Sequence, residues 1–195
     1  MTRPLRNRVD PFGALHAVPE RGDMLGNRGG RFHRPDQTLG ARRWASRQWI
    51  CCVCAFKGRR RPVWGAGYTE LFFLDEVTAL AAGHRPCFEC RRAEALAFQA
   101  VFGGGAMRAG EIDRVLHGER LAGAHVMADE ELPDGATIVQ QGAAFAVRGA
   151  CLLPWSFAGY GAPQRRLAGA VDVLTPLSII AALQRGYRPR WRLSN

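Results

Sequence analysis

Five of the six cysteines lie in two short clusters, and this feature constrains the fold of the chain more than any other. The first cluster, WICCVCAFKG, contains Cys51, Cys52 and Cys54, and the second, GHRPCFECRR, contains Cys87 and Cys90. A C-x-x-C turn lets one short loop supply two ligands to a tetrahedral zinc ion, and two such turns complete a four-thiolate site. The spacing therefore predicts a site for Zn²⁺ that joins the two clusters.

The first cluster offers more thiols than a four-cysteine site needs. Adjacent residues of a strand point to opposite faces, so Cys52 and Cys54 share a face, whereas Cys51 and Cys54 meet at one ion only if the chain turns. A site of three cysteines completed by His33 or His84 also stays open. The predicted ligands, one C-x-x-C pair from each cluster with Cys52 as the alternative in the first, are Cys51, Cys54, Cys87 and Cys90.

Length and composition indicate a folded protein of the cytoplasm. The chain of 195 residues is 47% hydrophobic and 23% charged, which is the balance of a globular protein with one substantial domain or two small ones. It contains no run of about 18 apolar residues, and its N-terminus lacks the apolar region of a secretory signal. We therefore expect a cytoplasmic location and no membrane partner, and clustered thiols there bind metal more often than they form disulfides.

The charge predicts a polyanionic partner. The formal net charge is +10, and Lys57 is the only lysine among 27 basic residues. Arginine makes bidentate contacts to phosphate and guanine, so we expect nucleic acid, DNA in particular, as the partner. The alternative is a solvated arginine face around a core of tryptophans. The arginines expected to contact phosphate lie in pairs and a triplet: Arg42, Arg43, Arg59, Arg60, Arg61, Arg91 and Arg92.

The pattern along the chain predicts an α+β protein. Residues 1–44 are rich in Arg, Gly and Pro without periodicity, and we expect an irregular basic segment there. Residues 45–102 contain both cysteine clusters and a short helix, EVTALAA, with Asp75 as its N-cap. Residues 103–131 are expected to form a helical connector, and residues 132–195 a mixed region of short strands in a meander followed by a final helix.

Two further features are candidates for chemistry. Glu70 lies within the apolar strand pattern YTELFFL, where a carboxylate either pairs with an arginine or has a catalytic role. The segment GNRGGRFH, residues 26–33, has the Gly-rich and basic character of a loop that wraps phosphate, but it lacks the P-loop and dinucleotide-binding forms. The catalytic candidate in this strand is accordingly Glu70.

The stretch FFLDEVTALAAGHRPCFECRRAEA is similar to the second half of the Ada-type metal-binding domain. That family has a strand ending in aromatic residues, a short Ala-rich helix and then a G-x-R-P-C-x-x-C-R segment. The corresponding parts here are Phe72 and Phe73, the segment 77–82 and the segment 83–91. The resemblance covers roughly residues 45–100. The family pairs its first two cysteines as C-x-x-x-C, whereas the first cluster here contains no such pair.

The resemblance implies a function in DNA repair or processing. In the Ada family one zinc thiolate accepts a methyl group from a DNA methylphosphotriester, a role that would fall to the first cluster here. One alternative is an enzyme acting on DNA, by base excision or by alkyl transfer to a zinc thiolate, with Glu70 or Cys52 at its active site. The other is a non-enzymatic interaction protein in which zinc only stabilises the fold.

Overall fold

Helices and two separate sheets make up the protein, so the predicted α+β class is confirmed. The computed structural model describes residues 4–58, 62–166 and 168–192. Within this part of the chain, no helix is both long and apolar enough to cross a bilayer. The helices are α1 (Glu76–Ala81), α2 (Arg92–Val101), α3 (Ala109–Ala122) and α4 (Leu177–Gln184), with short 3₁₀ turns at Phe102–Gly104 and Asp129–Glu131.

The first sheet has six strands in the order β2-β1-β5-β3-β4-β6. Its pairs β1–β5 and β4–β6 are parallel, and the other pairs are antiparallel. The parallel pair β4–β6 matters for the site because it places the chain that follows β6 beside β4. The strands are β1 (Arg8–Val9), β2 (Leu15–His16), β3 (Met24–Arg28), β4 (Trp49–Val53), β5 (Leu71–Phe73) and β6 (Arg85–Pro86).

The expectation that residues 1–44 are irregular is wrong, because β3 lies in the middle of this sheet between β4 and β5. Its inward positions are Met24, Gly26 and Arg28, so a glycine and an arginine conceal the apolar alternation of a buried strand. A Cβ atom on Gly26 would lie 2.3 Å from the carbonyl oxygen of Ile50. Glycine is therefore required for the close approach of β3 to β4.

Helix α1 begins at the predicted N-cap. The Asp75 carboxylate accepts hydrogen bonds of 2.9 Å from the backbone amide and from the hydroxyl of Thr78. It also accepts bonds from the Tyr160 hydroxyl and the Arg192 amide, which fixes the C-terminal segment to the start of α1. Gly83, with φ of 75°, follows the helix and turns the chain into β6.

The second sheet is antiparallel and contains the predicted meander, β8–β9–β10. Helix α4 connects the helices to the second sheet, because Ile179 and Leu183 pack with α2 and α3 while Ile180 packs against the sheet. The strands are β7 (His125–Ala128), β8 (Thr137–Gln140), β9 (Ala143–Arg148), β10 (Cys151–Ser156), β11 (Gly159–Tyr160), β12 (Gln164–Arg165) and β13 (Ala170–Val173).

Candidate metal centre

Three thiols from the two cysteine clusters meet at the edge of the first sheet. The sulfur atoms of Cys52, Cys87 and Cys90 all lie within 4.8 Å of one another. Cys52 is in β4, and the other two are in the turn between β6 and α2. The parallel pairing of β4 with β6 sets Cys51 opposite Pro86, and the Cys87 amide donates to the Cys51 carbonyl at 3.0 Å. The sheet register therefore brings the two clusters together.

Backbone amides from the C-x-x-C turn and from β4 point at the sulfur atoms of Cys87 and Cys90. The Glu89 amide donates to the Cys87 sulfur at 3.4 Å, and the Val53 amide hydrogen-bonds to Cys90. The Arg91 amide donates to the Cys87 carbonyl at 3.0 Å and leads the chain into α2. Amide donors at sulfur favour the thiolate form, which is the form that binds a metal ion.

The spacing of the three sulfur atoms fits a metal ion bound by thiolates. A zinc–sulfur distance of about 2.3 Å in a tetrahedron separates two sulfur ligands by about 3.8 Å. The three sulfur atoms lie no more than 4.8 Å from one another, which is close to that spacing. The three cysteines can therefore hold one metal ion with small side-chain adjustments.

The predicted first-cluster pair, Cys51 and Cys54, does not join the group of three thiols, whereas Cys52, the alternative, does. Because β4 remains extended through both residues, their side chains point to opposite faces. Cys51 is fully buried in the core of the sheet, where its sulfur lies 3.6 Å from the Arg91 guanidinium. Cys54 is exposed, and its thiol donates to the Asp23 carbonyl at 3.3 Å rather than joining the group of three.

The two histidines considered as fourth ligands lie elsewhere. His33 is buried, stacks on Trp64 and hydrogen-bonds through Nδ1 to the Thr69 hydroxyl at 2.8 Å. His84 is fully buried against the rings of Trp49 and Phe73. Neither belongs to the thiol group.

The three thiols strongly perturb one another. Hydrogen bonds from the Cys52 and Cys90 thiols hold the pKa of Cys87 far below its usual range. The hydrogen bonds that the Cys52 thiol donates to Cys87 and Cys90 raise the pKa of Cys52 far above its usual range. A cation bound by the group would favour the thiolate form of each sulfur atom.

A cavity of about 410 Å³ opens beside the thiols, and we call it the thiol cavity. Its wall includes Cys52, Cys87, Cys90, Cys54 and Glu70. The catalytic candidates Cys52 and Glu70 are therefore brought to one cavity. The Glu70 side chain is 8% exposed, and its carboxylate accepts a hydrogen bond of 2.7 Å from the Trp64 amide. That bond fixes the carboxylate in the cavity wall.

The predicted phosphate-contacting arginines have different fates. Arg91 is 1% exposed and forms a 2.6 Å ion pair with Glu76, so it is a core residue and is not available to a phosphate. Arg91 is the N-cap residue of α2, and its guanidinium reaches Glu76 in α1. Arg42, Arg43 and Arg92 are exposed. The triplet Arg59, Arg60 and Arg61 lies outside the described residues.

Comparison of the chain with protein-family models, curated proteins and solved structures finds no match.

Proposed function

We propose that Cys52, Cys87 and Cys90 bind Zn²⁺ and that the protein binds nucleic acid, DNA in particular, in DNA repair or processing. The convergence of three thiols at the wall of an open cavity supports the zinc proposal most strongly. Zinc prefers thiolate ligands in a tetrahedron, and three protein ligands leave one position for a further donor.

The fourth donor decides the character of the site. Cys54 lines the same cavity as the three thiols, two residues beyond Cys52 in the chain. With Cys54 as ligand the site is closed and structural, whereas without it the fourth position belongs to a water molecule or a substrate from the cavity. Zinc content alone does not distinguish the closed site from the open one. The visible absorption spectrum of cobalt-substituted Cys54→Ser distinguishes them, because it differs from that of the wild type only if Cys54 is a ligand.

Metal analysis of the purified chain tests the zinc proposal. We expect about one zinc per chain in the wild type, and strong thiolate-to-cobalt absorption when Co²⁺ replaces it. Cys87→Ser and Cys90→Ser lose the metal, while Cys151→Ser, in strand β10, retains it and serves as the matched control. A folded wild type that takes up no zinc after reconstitution would exclude the site.

The charge and the exposed arginines support the nucleic-acid proposal. The formal net charge is +10. Arg42 and Arg92 are exposed, and within the described part of the chain neither is in an ion pair. Guanidiniums that are not neutralised by the protein remain available to phosphates and release counterions when they bind them.

Salt-dependent binding to a labelled DNA duplex tests this proposal. We expect affinity to fall linearly on a log–log scale with salt, and the double variant Arg42→Gln, Arg92→Gln to lower the slope by about two, near 0.9 per lost contact. Arg114→Gln, an exposed arginine of α3, is the matched control. The absence of binding to duplex and to single-stranded DNA at about 50 mM salt would reject the nucleic-acid proposal.

Cys52 also supports a second candidate, transfer of an alkyl group from DNA to the protein. A metal-held thiolate is a nucleophile at neutral pH, and Cys52 faces the cavity. Its sulfur would attack the methyl carbon of a methylphosphotriester. The sulfur–carbon bond forms, the carbon–oxygen bond breaks, and the electron pair stays on the phosphate oxygen, which restores a diester.

Peptide mass spectrometry after incubation with methylphosphotriester DNA tests the transfer. The peptide that contains Cys52 is expected to gain one methyl group on that residue, and Cys52→Ala protein to gain none. An unmodified peptide from zinc-loaded protein excludes the transfer. A protein that holds zinc but neither binds DNA nor accepts methyl groups would be the zinc-stabilised interaction protein.

A further inference from the structure

A second cavity, of about 550 Å³, lies on the other side of the first sheet, and we call it the arginine cavity. Residues from β2, β3, β4 and α3 meet there, and they come from segments as much as about 100 positions apart in the chain. Its wall also includes the start of α4. The lining residues that carry the argument are Arg6, Arg28, Arg43, Arg120, Trp44 and Trp49.

Arg28 is buried in this wall without an acidic partner. The residue is 2% exposed. Its guanidinium donates to the carbonyls of Gly13 at 2.8 Å and Arg43 at 3.5 Å, and its Nε is buried with no hydrogen-bond partner. Among the described residues no carboxylate lies within 4.0 Å of it. A buried positive charge in this condition is costly.

The other two fully buried arginines among the described residues each have an acidic partner. Arg85 forms a two-pronged pair with Asp113 at 2.8 and 2.9 Å. Arg91 pairs with Glu76 at 2.6 Å. Arg28 differs from both because its positive charge faces a cavity and no carboxylate.

Arg120 adds a second guanidinium to the same cavity. It donates to the carbonyls of Gly83 at 2.6 Å and Arg47 at 3.0 Å, and its Nε is also buried without a partner. The guanidiniums of Arg28 and Arg120 lie 4.0 and 4.2 Å from the Trp49 ring centroid. The indole holds both cations in place but does not neutralise them.

Burial disfavours the charged form of both guanidiniums. Burial, together with the charge of Arg120, lowers the pKa of Arg28 to about 9. Burial lowers the pKa of Arg120 to about 10. Both groups therefore remain charged at neutral pH, and an anion in the cavity would relieve their repulsion.

The acidic residue in the lining does not supply that anion. The Glu119 carboxylate accepts hydrogen bonds from the Ser178 amide at 3.1 Å and from the Ser178 hydroxyl at 2.6 Å. His125, also in the lining, has a buried Nε2 without a partner. The wall residues Arg28, Arg120 and His125 thus each contain a buried nitrogen atom that has no hydrogen-bond partner among the described residues.

We propose that the arginine cavity binds a phosphomonoester that carries a planar ring, with Arg28 and Arg120 on the phosphate and Trp44 against the ring. Two guanidiniums match the geometry and charge of a phosphate dianion. The volume far exceeds that of phosphate alone, and the indole of Trp44 is half-buried at the wall. The ligand is a mononucleotide, either free or as the phosphorylated end of a strand.

Calorimetric titration of the full chain with dTMP and thymidine tests the proposal. We expect dTMP to bind at least about tenfold more tightly than thymidine, because thymidine lacks the phosphate that accepts the charge-assisted bonds. Arg28→Met and Arg120→Met each weaken dTMP binding by at least about tenfold. Arg31→Gln, an exposed arginine outside the cavity wall, leaves it unchanged.

The outcomes are separable from those of the metal centre. Cys87→Ser is expected to keep dTMP binding, because the thiols lie on the opposite face of the sheet. Tighter binding of a 5′-phosphorylated oligonucleotide than of its 5′-hydroxyl form assigns the strand end, and binding of dTMP with neither oligonucleotide assigns the free nucleotide. Equal binding of dTMP and thymidine overturns the proposal, as does wild-type affinity in folded Arg28→Met and Arg120→Met. If Arg28→Met does not fold, Arg120→Met gives the comparison.

Discussion

The two faces of the first sheet present opposite chemistry within a few residues of chain. In β4, Trp49 points towards the arginine cavity, while Cys52 points towards the thiol cavity. In β3, likewise, Arg28 lines the arginine cavity and Asn27 lines the thiol cavity. The period of two in an extended strand is sufficient to separate a cluster of thiols from a cluster of guanidiniums.

The two cavities also need opposite partners. A cation beside Cys52, Cys87 and Cys90 would favour the ionised form of their sulfur atoms. Arg28 and Arg120 line the other cavity, and the charge of Arg120 helps to lower the pKa of Arg28. The proposed ligands, a cation at one cavity and an anion at the other, follow this contrast.

The largest expected effect separates a structural buried arginine from a binding one. Arg91→Met leaves the buried Glu76 carboxylate without its cation and is expected to lower the free energy of unfolding by about 3–5 kcal/mol. Arg28→Met removes a charge that has no acidic partner and is expected to lower it by at most about 1 kcal/mol. Chemical denaturation of the two variants measures the difference. Equal destabilisation would mean that Arg28 is as structural as Arg91.

The next effect concerns the strand on which both faces depend. Gly26→Ala would place a Cβ 2.3 Å from the Ile50 carbonyl oxygen and 2.7 Å from the Phe73 ring. We expect a loss of about 1–3 kcal/mol in the free energy of unfolding, because backbone has to move. Gly118→Ala, in α3 with open space around the new methyl group, is the matched control and is expected to gain about 0.5–1 kcal/mol. A neutral Gly26→Ala would show that β3 and β4 are not so closely packed.

The smallest effect reports the positive potential on the arginine side. Burial, with the charges of Arg28 and Arg120, holds the pKa of His84 well below its usual range. The unfolded state then takes up the proton more readily, so stability falls as pH drops below about 6.5, by up to about 1.4 kcal/mol per pH unit. An NMR titration is expected to show a neutral His84 ring at pH 6, and Arg28→Met to raise its pKa. A His84 pKa near 6.5 in the wild-type protein would show that no such positive potential acts on the ring.

Local signals in the sequence predicted the elements whose residues follow simple rules. Asp75 caps α1, the strands after residue 132 form a meander, and the C-x-x-C of Cys87 and Cys90 supplies two members of the thiol group. These features depend on neighbours in the chain. Strand β3 was missed because Gly26 and Arg28 occupy its inward positions, where apolar residues are expected.

The arginine cavity was not predictable from sequence because its residues are far apart in the chain. The Gly-rich segment 26–33 indicates a phosphate-binding loop. Arg28 instead lies in strand β3, and Arg120 lies in α3. Nothing in the spacing of Arg6, Arg28, Arg43 and Arg120 points to one site. Strand alternation, by contrast, was available at the first cysteine cluster, and it favours Cys52 over Cys51 once β4 is known to stay extended.

Zinc content of two neighbouring variants tests the division of the sheet into two faces most directly. Cys51→Ala changes a buried residue of the core face, and Cys52→Ala changes the thiol cavity. Thermal unfolding first establishes that both variants are folded, and metal is then measured per chain after reconstitution and dialysis. The account predicts about one zinc in Cys51→Ala and none retained in Cys52→Ala. Zinc retained by Cys52→Ala and lost from Cys51→Ala would contradict it.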